Sequence, residues 1–293
     1  MPEYKLKNNN RIKLLFASDM EYGNFGDLLS RYIIEKLTGT AIEKYDHRKE
    51  YAVHLDAIGS ILSRPELCSP AIIWGSGFLS PQTLWKIKLS QWSWFLRGKR
   101  CHPKVCAVRG KLTREILVKS GIECPEIYGD PALLMPVIYD KAVSKKYRLG
   151  VILHHNHQHF KEKFMHTNVK WIDVYRSYSD IENFIDEVLA CDAVLSSSLH
   201  GLIVPNAYQI PCVRLKIKGN SIHPKAERED FKFNDYLSGL NSYCNGEPYD
   251  FANLLFDANE SINDKIIDKT VASANAPSFN IDYAKLLKAL PKE

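Results

Sequence analysis

The run Cys191-Asp192-Ala193-Val194-Leu195-Ser196-Ser197-Ser198-Leu199-His200-Gly201 continues through Leu202-Ile203-Val204-Pro205-Asn206-Ala207-Tyr208 to Pro211 and sets the pattern for the whole chain. Ala193-Val194-Leu195 is apolar with a β-branched centre, as in a short buried strand, and apolar residues return after the serines at helical spacing. The reading is strand, polar turn, helix, with Ser196 to Ser198 supplying hydroxyls that can cap the helix. A helix N-terminus carries unpaired backbone N–H groups and a partial positive charge, so it seats anions. His200 lies in that first turn and is the one histidine here with a plausible anion site built around it, and histidine is the residue type whose ordinary charge change falls near neutral pH. The plain alternative is a histidine that only packs or caps the turn.

The same strand-turn-helix pattern recurs on both sides. Lys13 to Ala17 reads as a strand, followed by the loop Tyr22-Gly23-Asn24-Phe25-Gly26-Asp27 and a helix through Leu28, Leu29, Ile33, Ile34 and Leu37 to Gly39. Two glycines allow close backbone approach, and Asn24 and Asp27 are candidates to cap the helix or hold a substrate hydroxyl; GxGxxG is not matched. Ala71 to Trp74 reads as a second buried strand ending in Gly75-Ser76-Gly77. That turn places backbone N–H groups at the carboxyl end of a strand, where open α/β sheets bind ligands. A third strand, Val105 to Val108, ends in Arg109-Gly110. A guanidinium fork there is an anion-binding candidate. Ile127 to Leu134 reads as a strand and a turn in which Asp130 precedes Pro131 and either orients a hydroxyl or caps the turn.

Residues 141–148 are polar and lysine-rich and read as an interdomain linker. A second strand-helix series then begins with Leu149 to Leu153 and runs into His154-His155-Asn156-His157-Gln158-His159. These histidines lack companion carboxylates or cysteines at ligand spacing, so no metal site is assigned, and His155 is taken as a cleft-facing candidate. Val169 to Val174 and Cys212 to Lys216 read as strands, and a helix starts at Asp180. Residues 251–257 look helical, 259–280 look like an exposed connection, and 281–290 look like a terminal helix, which the reading packs back on the first domain. The aromatic stretch Trp85 to Phe95, with Trp92 and Trp94, is either a platform for a sugar ring or a packed helix face. The alternation of strands and helices occurs twice. It implies an α/β protein of two Rossmann-like, doubly wound domains facing a cleft, residues 1–140 and 147–293.

At 293 residues and 45% apolar content the chain can bury a sizeable core. No apolar run reaches the length of a membrane span, and the first residues lack the apolar stretch of a secretory signal. Seven cysteines at irregular spacing argue against a disulfide framework and a zinc site, so the expected location is cytoplasmic. A net charge of +5 favours anionic substrates or a loose peripheral contact with acidic lipid at the inner face of the cell membrane. No motif for nucleic acid is found.

Taken in order, Asn24-Phe25-Gly26-Asp27, Gly75-Ser76-Gly77, Val108-Arg109-Gly110, Gly129 to Leu134, and Ser196 to Gly201 with Ala207 and Pro211 resemble the polysaccharide pyruvyl transferase family, nearest in pattern to its succinoglycan-type exopolysaccharide branch. The resemblance implies a GT-B-like pair of Rossmann-like domains. It further implies transfer of a pyruvyl group from phosphoenolpyruvate to a sugar of a surface polysaccharide or its lipid-linked precursor, with closure of a cyclic ketal, release of phosphate and no cofactor. By this resemblance His200 is the general acid, Arg109 holds the donor's phosphate or carboxylate, and Asn24, Asp27, Gly75, Ser76, Gly77, Asp130, His155, Ser197, Ser198 and Lys216 line the substrates. One position departs: many family members carry arginine two residues before the histidine, where this chain has Ser198. Arg214, Lys216 or Lys218 then stand as replacement anchors. A nucleotide-sugar-dependent glycosyltransferase of the same architecture and a non-catalytic saccharide-binding subunit are the alternatives.

Overall fold

The computed structural model describes residues 7–8, 10–62, 67, 69–81, 87–89, 91–92, 96, 103–219, 226–278 and 282–291. Two sheets dominate. The first is built on β2 (Arg11–Leu14), β4 (Ala41–Lys44), β5 (His54–Asp56), β6 (Ala71–Trp74) and β7 (Lys104–Ala107), all parallel, with the short β1 (Lys7–Asn8) turned back antiparallel on β2. The second is wholly parallel in the order β13 (Ala252–Phe256), β12 (Cys212–Ile217), β11 (Cys191–Ser196), β8 (Tyr147–Ile152), β9 (Val169–Trp171). The architecture is α/β and Rossmann-like, with two parallel sheets. The apolar runs that mark β6 and β11 arise because parallel strands are covered on both faces; every residue of β6 is buried, and in β11 only Asp192 is exposed.

A two-stranded antiparallel ribbon ties the two halves of the sequence together. It pairs β3 (Tyr22–Asn24) with β10 (Tyr175–Ser177) and leads directly into α1 (Phe25–Thr38). Helix α1 starts where Asn24 Oδ1 accepts a hydrogen bond from Gly26 N at 2.9 Å, and it stops at Gly39, whose φ of 63° is left-handed and favours glycine. Helices α2 (Lys111–Lys119), α3 (Met135–Ile138), α4 (Ile181–Leu189) and α5 (His200–Ala207) follow the strand-helix alternation. Helix α6 (Ala226–Leu240) then crosses back to pack on α2, and α8 (Tyr283–Lys288) lays the Leu286 carbonyl within 2.9 Å of Trp74 Nε1 on β6.

Two expectations about the carboxyl-terminal third change. Residues 251–257 form the edge strand β13, because burial alternates with period two: Leu254 and Phe256 are buried while Leu255 is exposed. Residues 259–280 hold helix α7 (Asp264–Ser273), capped where Asn263 Oδ1 accepts from Ile266 N and anchored by buried Ile267. The histidine run folds as successive 3-10 turns over His155–Phe164, with Phe160 and Phe164 directed into the core.

Candidate functional site

The carboxyl ends of β2 and β5 in one sheet and of β8 and β11 in the other converge on a cavity of about 620 Å³. Open α/β sheets bind ligands at such ends, where the chain leaves the sheet in loops and helix N-termini. Ala17 to Asp19, Gly59 to Ile61, His154, His155 and Ser198 to His200 are the strand-end contributions. The ribbon adds Tyr22, Gly23, Asn24 and Tyr175, and α1 adds Asp27. Helix α6 contributes Lys232.

His200 is held from two sides. Its Nε2 lies 3.7 Å from Asp130 Oδ2, and neither of these shielded atoms has a hydrogen-bond partner among the described residues. Buried polar groups are nearly always satisfied, so two orphans facing each other mark a built pair. Asp130 itself is fixed: its Oδ1 accepts from Ala132 N at 3.0 Å, capping the turn Pro131–Leu134, and the carboxylate is fully buried. The other edge of the ring rests on Gly26. A β-carbon there would come within 2.2 Å of His200 Nδ1, so glycine is required for the ring to fit. Asn24 at the end of β3 and Asp27 in α1 are joined through Ser18, whose Oγ donates to Asp27 Oδ2 at 2.8 Å and accepts from Asn24 N at 2.9 Å.

The positive end of the cavity is formed by Lys232 and the start of α5. Lys232 leaves its mark on the neighbouring histidines. Burial first and then Lys232 push His154 down to about 2, and the same two causes lower His155. His154 is thereby kept neutral, and its Nδ1 accepts from Asn156 N at 3.2 Å.

Several sequence candidates lie elsewhere, and their positions are corrections to the expectation that they meet substrate. Arg109 is fully buried. Its Nε and Nη2 both lie 2.9 Å from Asp235 Oδ2, Nη2 also donates to the Phe78 carbonyl at 2.7 Å, and Nη1 donates to Ser60 Oγ at 2.5 Å. A guanidinium so engaged has little left for a ligand. Instead it anchors α6 through Asp235, one turn from Lys232. Gly110 serves the same crossing, since a β-carbon on it would meet the Asp235 carbonyl at 1.7 Å. In Gly75-Ser76-Gly77 the glycine N–H groups bond the Ala107 and Gly59 carbonyls and Ser76 Oγ bonds the Asp56 carbonyl, so this turn is structural. Ser197 Oγ is taken by His154 N and His157 Nδ1. Arg214 and Lys216 share Asp230, and Lys218 is paired with Asp257; none of the three lines the cavity. Of the aromatic stretch, Trp92 is exposed, while Trp85, Trp94 and Phe95 lie outside the described residues.

A profile of sequences described as polysaccharide pyruvyl transferase matches residues 24–218. The chain belongs to that family. As a member it is an enzyme, a pyruvyl-transferring one that implies a saccharide acceptor. The match begins at the Asn24 cap and ends just beyond β12, so it spans His200, Asp130 and the carboxyl ends of β5, β8 and β11 at the cavity, while Ala17 to Asp19 beyond β2, Tyr22 and Lys232 lie outside it. The transferase is also 27% identical over 267 residues to an uncharacterized protein of Acanthamoeba polyphaga mimivirus, covering 88% of this chain and 82% of the viral one. A crystal structure of a functionally uncharacterized protein from Klebsiella pneumoniae superposes with a TM-score of 0.41 at 12% identity, covering 77% of this chain and 90% of that one.

Lys232 was absent from the sequence reading, as were His154, Ser18, Tyr22 and Tyr175 as cavity residues. Lys232 sits in a stretch, Phe231-Lys232-Phe233, whose sequence gives no sign of which face meets the cleft. Only the crossing of α6 onto the other half brings it there.

Proposed function

We propose that this transferase moves a pyruvyl group from phosphoenolpyruvate to two hydroxyls of one sugar in a bacterial surface polysaccharide or its precursor, closing a cyclic ketal and releasing phosphate. The observation that carries the proposal is the His200–Asp130 pair set at the mouth of α5 in a cavity that Lys232 also lines. Phosphoenolpyruvate is an enol ester, and its methylene carbon must gain a proton before the neighbouring carbon becomes electrophilic. His200, which lines the cavity, supplies that proton, while Asp130 orients the ring. One sugar hydroxyl then adds to the electrophilic carbon and a second displaces phosphate. Of the two hydroxyl protons, one replaces the proton given by His200 and the other leaves with phosphate. Lys232 and the N–H groups of α5 meet the donor's negative charge, the task that Ser198 cannot take over from the arginine common in the family. The two sheets with their strand ends facing one cavity fit a GT-B-like cleft, with donor and acceptor entering from different walls.

A peripheral contact with acidic lipid at the inner membrane face belongs to the same reading. No helix among the described residues is long and apolar enough to cross a membrane. Leu89, Trp92 and Leu96 are exposed, within a stretch, residues 85–100, that carries five basic and no acidic residues.

The test is phosphate release from phosphoenolpyruvate in the presence of candidate acceptor saccharides. Acceptor-dependent release supports the proposal; turnover of a nucleotide sugar with no release from phosphoenolpyruvate would replace it with glycosyl transfer, and saccharide binding without turnover of either donor would leave a binding subunit.

A further inference from the structure

Tyr22 and Tyr175 are large aromatic side chains left in solvent at 60% and 42% exposure, yet both line the cavity that holds His200. Their rings lie nearly parallel, 12° apart, with centroids at 6.5 Å. This follows from the ribbon's register: Tyr22 faces Ser177 and Asn24 faces Tyr175, so the two tyrosines are diagonal neighbours on one face. The ribbon is well braced beneath them. Asp173 Oδ1 accepts from Tyr175 N at 2.9 Å, Phe25 N donates to the Val174 carbonyl at 2.7 Å, and Tyr178 N donates to the Glu21 carbonyl at 2.8 Å. None of these bonds uses a tyrosine side chain, so the bracing of the ribbon does not depend on the two exposed rings.

We propose that Tyr22 and Tyr175 form the platform on which a pyranose ring of the saccharide acceptor lies, with its hydroxyls turned toward His200. A tyrosine ring offers a flat apolar face with a polar tip at low cost in ordering, which matches the C–H face and hydroxyl rim of a sugar. Leu79, also exposed and also on the cavity, extends the apolar floor. The cavity, about 620 Å³, has room for a three-carbon phosphate ester and a monosaccharide together. Lys232 and the start of α5 offer positive charge to the donor, while the ribbon contributes uncharged rings. The assignment rests on the pyruvyl-transfer reading for its acceptor, but the platform is defined by the tyrosines alone.

The experiment binds the full-length protein to an array of bacterial and eukaryotic oligosaccharides, then measures affinity for each captured glycan in solution for the wild type, Tyr22→Ala, Tyr175→Ala and Tyr175→Phe. Wild type is expected to capture at least one pyranoside. Each alanine variant weakens that binding about tenfold or more, and the phenylalanine variant largely retains it. Thermal unfolding midpoints near wild type exclude loss of fold as the cause. No glycan captured by the wild type, or alanine variants binding as tightly as wild type, would overturn the platform. Phosphoenolpyruvate binding by the wild type is titrated separately. If it is missing while tyrosine-dependent glycan binding is present, the donor reading fails and the platform stands.

Discussion

His200 and Asp130 show how much one pair of side chains can carry. The histidine ring is confined between a buried carboxylate and a glycine, so its position is fixed before any substrate arrives. His200→Ala is expected to lower pyruvyl transfer by about 100-fold or more, measured as acceptor-dependent phosphate release, because the proton source is gone. Asp130→Asn is a gentler probe, since asparagine can still accept from Ala132 N and keep the turn. It should preserve the unfolding midpoint while slowing transfer roughly tenfold or more through a misoriented imidazole. Equal activity of wild type and Asp130→Asn would show that the pair has no part in the reaction. Arg109 makes the opposite case. Removing its side chain leaves the Asp235 carboxylate buried without its counter-charge, which costs about 3–5 kcal/mol. Arg109→Ala should therefore lower the unfolding midpoint sharply, and any effect on donor affinity should come through displacement of α6. In sequence the two residues looked equally poised at strand ends. His200 and Asp130 were legible because each sits beside its own turn motif, whereas the partner that retires Arg109 lies 126 positions away.

At the scale of elements, the helices and strands of the parallel sheets were readable wherever burial is two-sided or period and cap agree, as in β6, β11 and α1. Where a strand lies at an edge, as β13 does, a half-buried apolar run reads equally well as helix, and only its partner β12 decides. The turn after β8 is a further case. His154 caps it with a neutral Nδ1, and protonation would abolish that acceptor. The unfolded chain takes up this proton near the ordinary histidine value of about 6.5, whereas the folded chain resists it until about 2. The unfolded state thus binds more protons between these values, and stability falls as pH drops below 6.5. Urea midpoints between pH 7 and pH 4 should decline, and His154→Gln should make that decline shallower by up to about 1 kcal/mol per pH unit. A slope unchanged by the substitution would mean that His154 is not held neutral.

The molecule as a whole is knit more tightly than two alternating series of strands and helices imply. One continuous apolar core runs from Ile12 and Leu14 in the first sheet, through α1, to Phe184, Val194 and Leu202 around the second. Phe25 of α1 stacks on Phe184 of α4 with centroids 3.6 Å apart, and Tyr32 donates to Glu182 at 2.6 Å. Arg31 lies over the Tyr178 ring, and Tyr178 in turn donates to Glu35. Each contact joins residues more than 140 positions apart, so none can be read from local pattern. Helices α6 and α8 return to the first sheet and close it with residues from the end of the chain. Separating the halves would expose the apolar face of α1 and strip Trp74 of its Leu286 partner, a cost neither half can offset alone. Heating the full chain should therefore give one calorimetric transition whose van't Hoff and calorimetric enthalpies agree. A fragment of residues 1–140 expressed alone should show neither a cooperative transition nor dispersed amide resonances. Two resolved transitions, or a folded fragment, would show instead that residues 1–140 and 147–293 are independent units and that the cavity between their strand ends can open and close as a hinge.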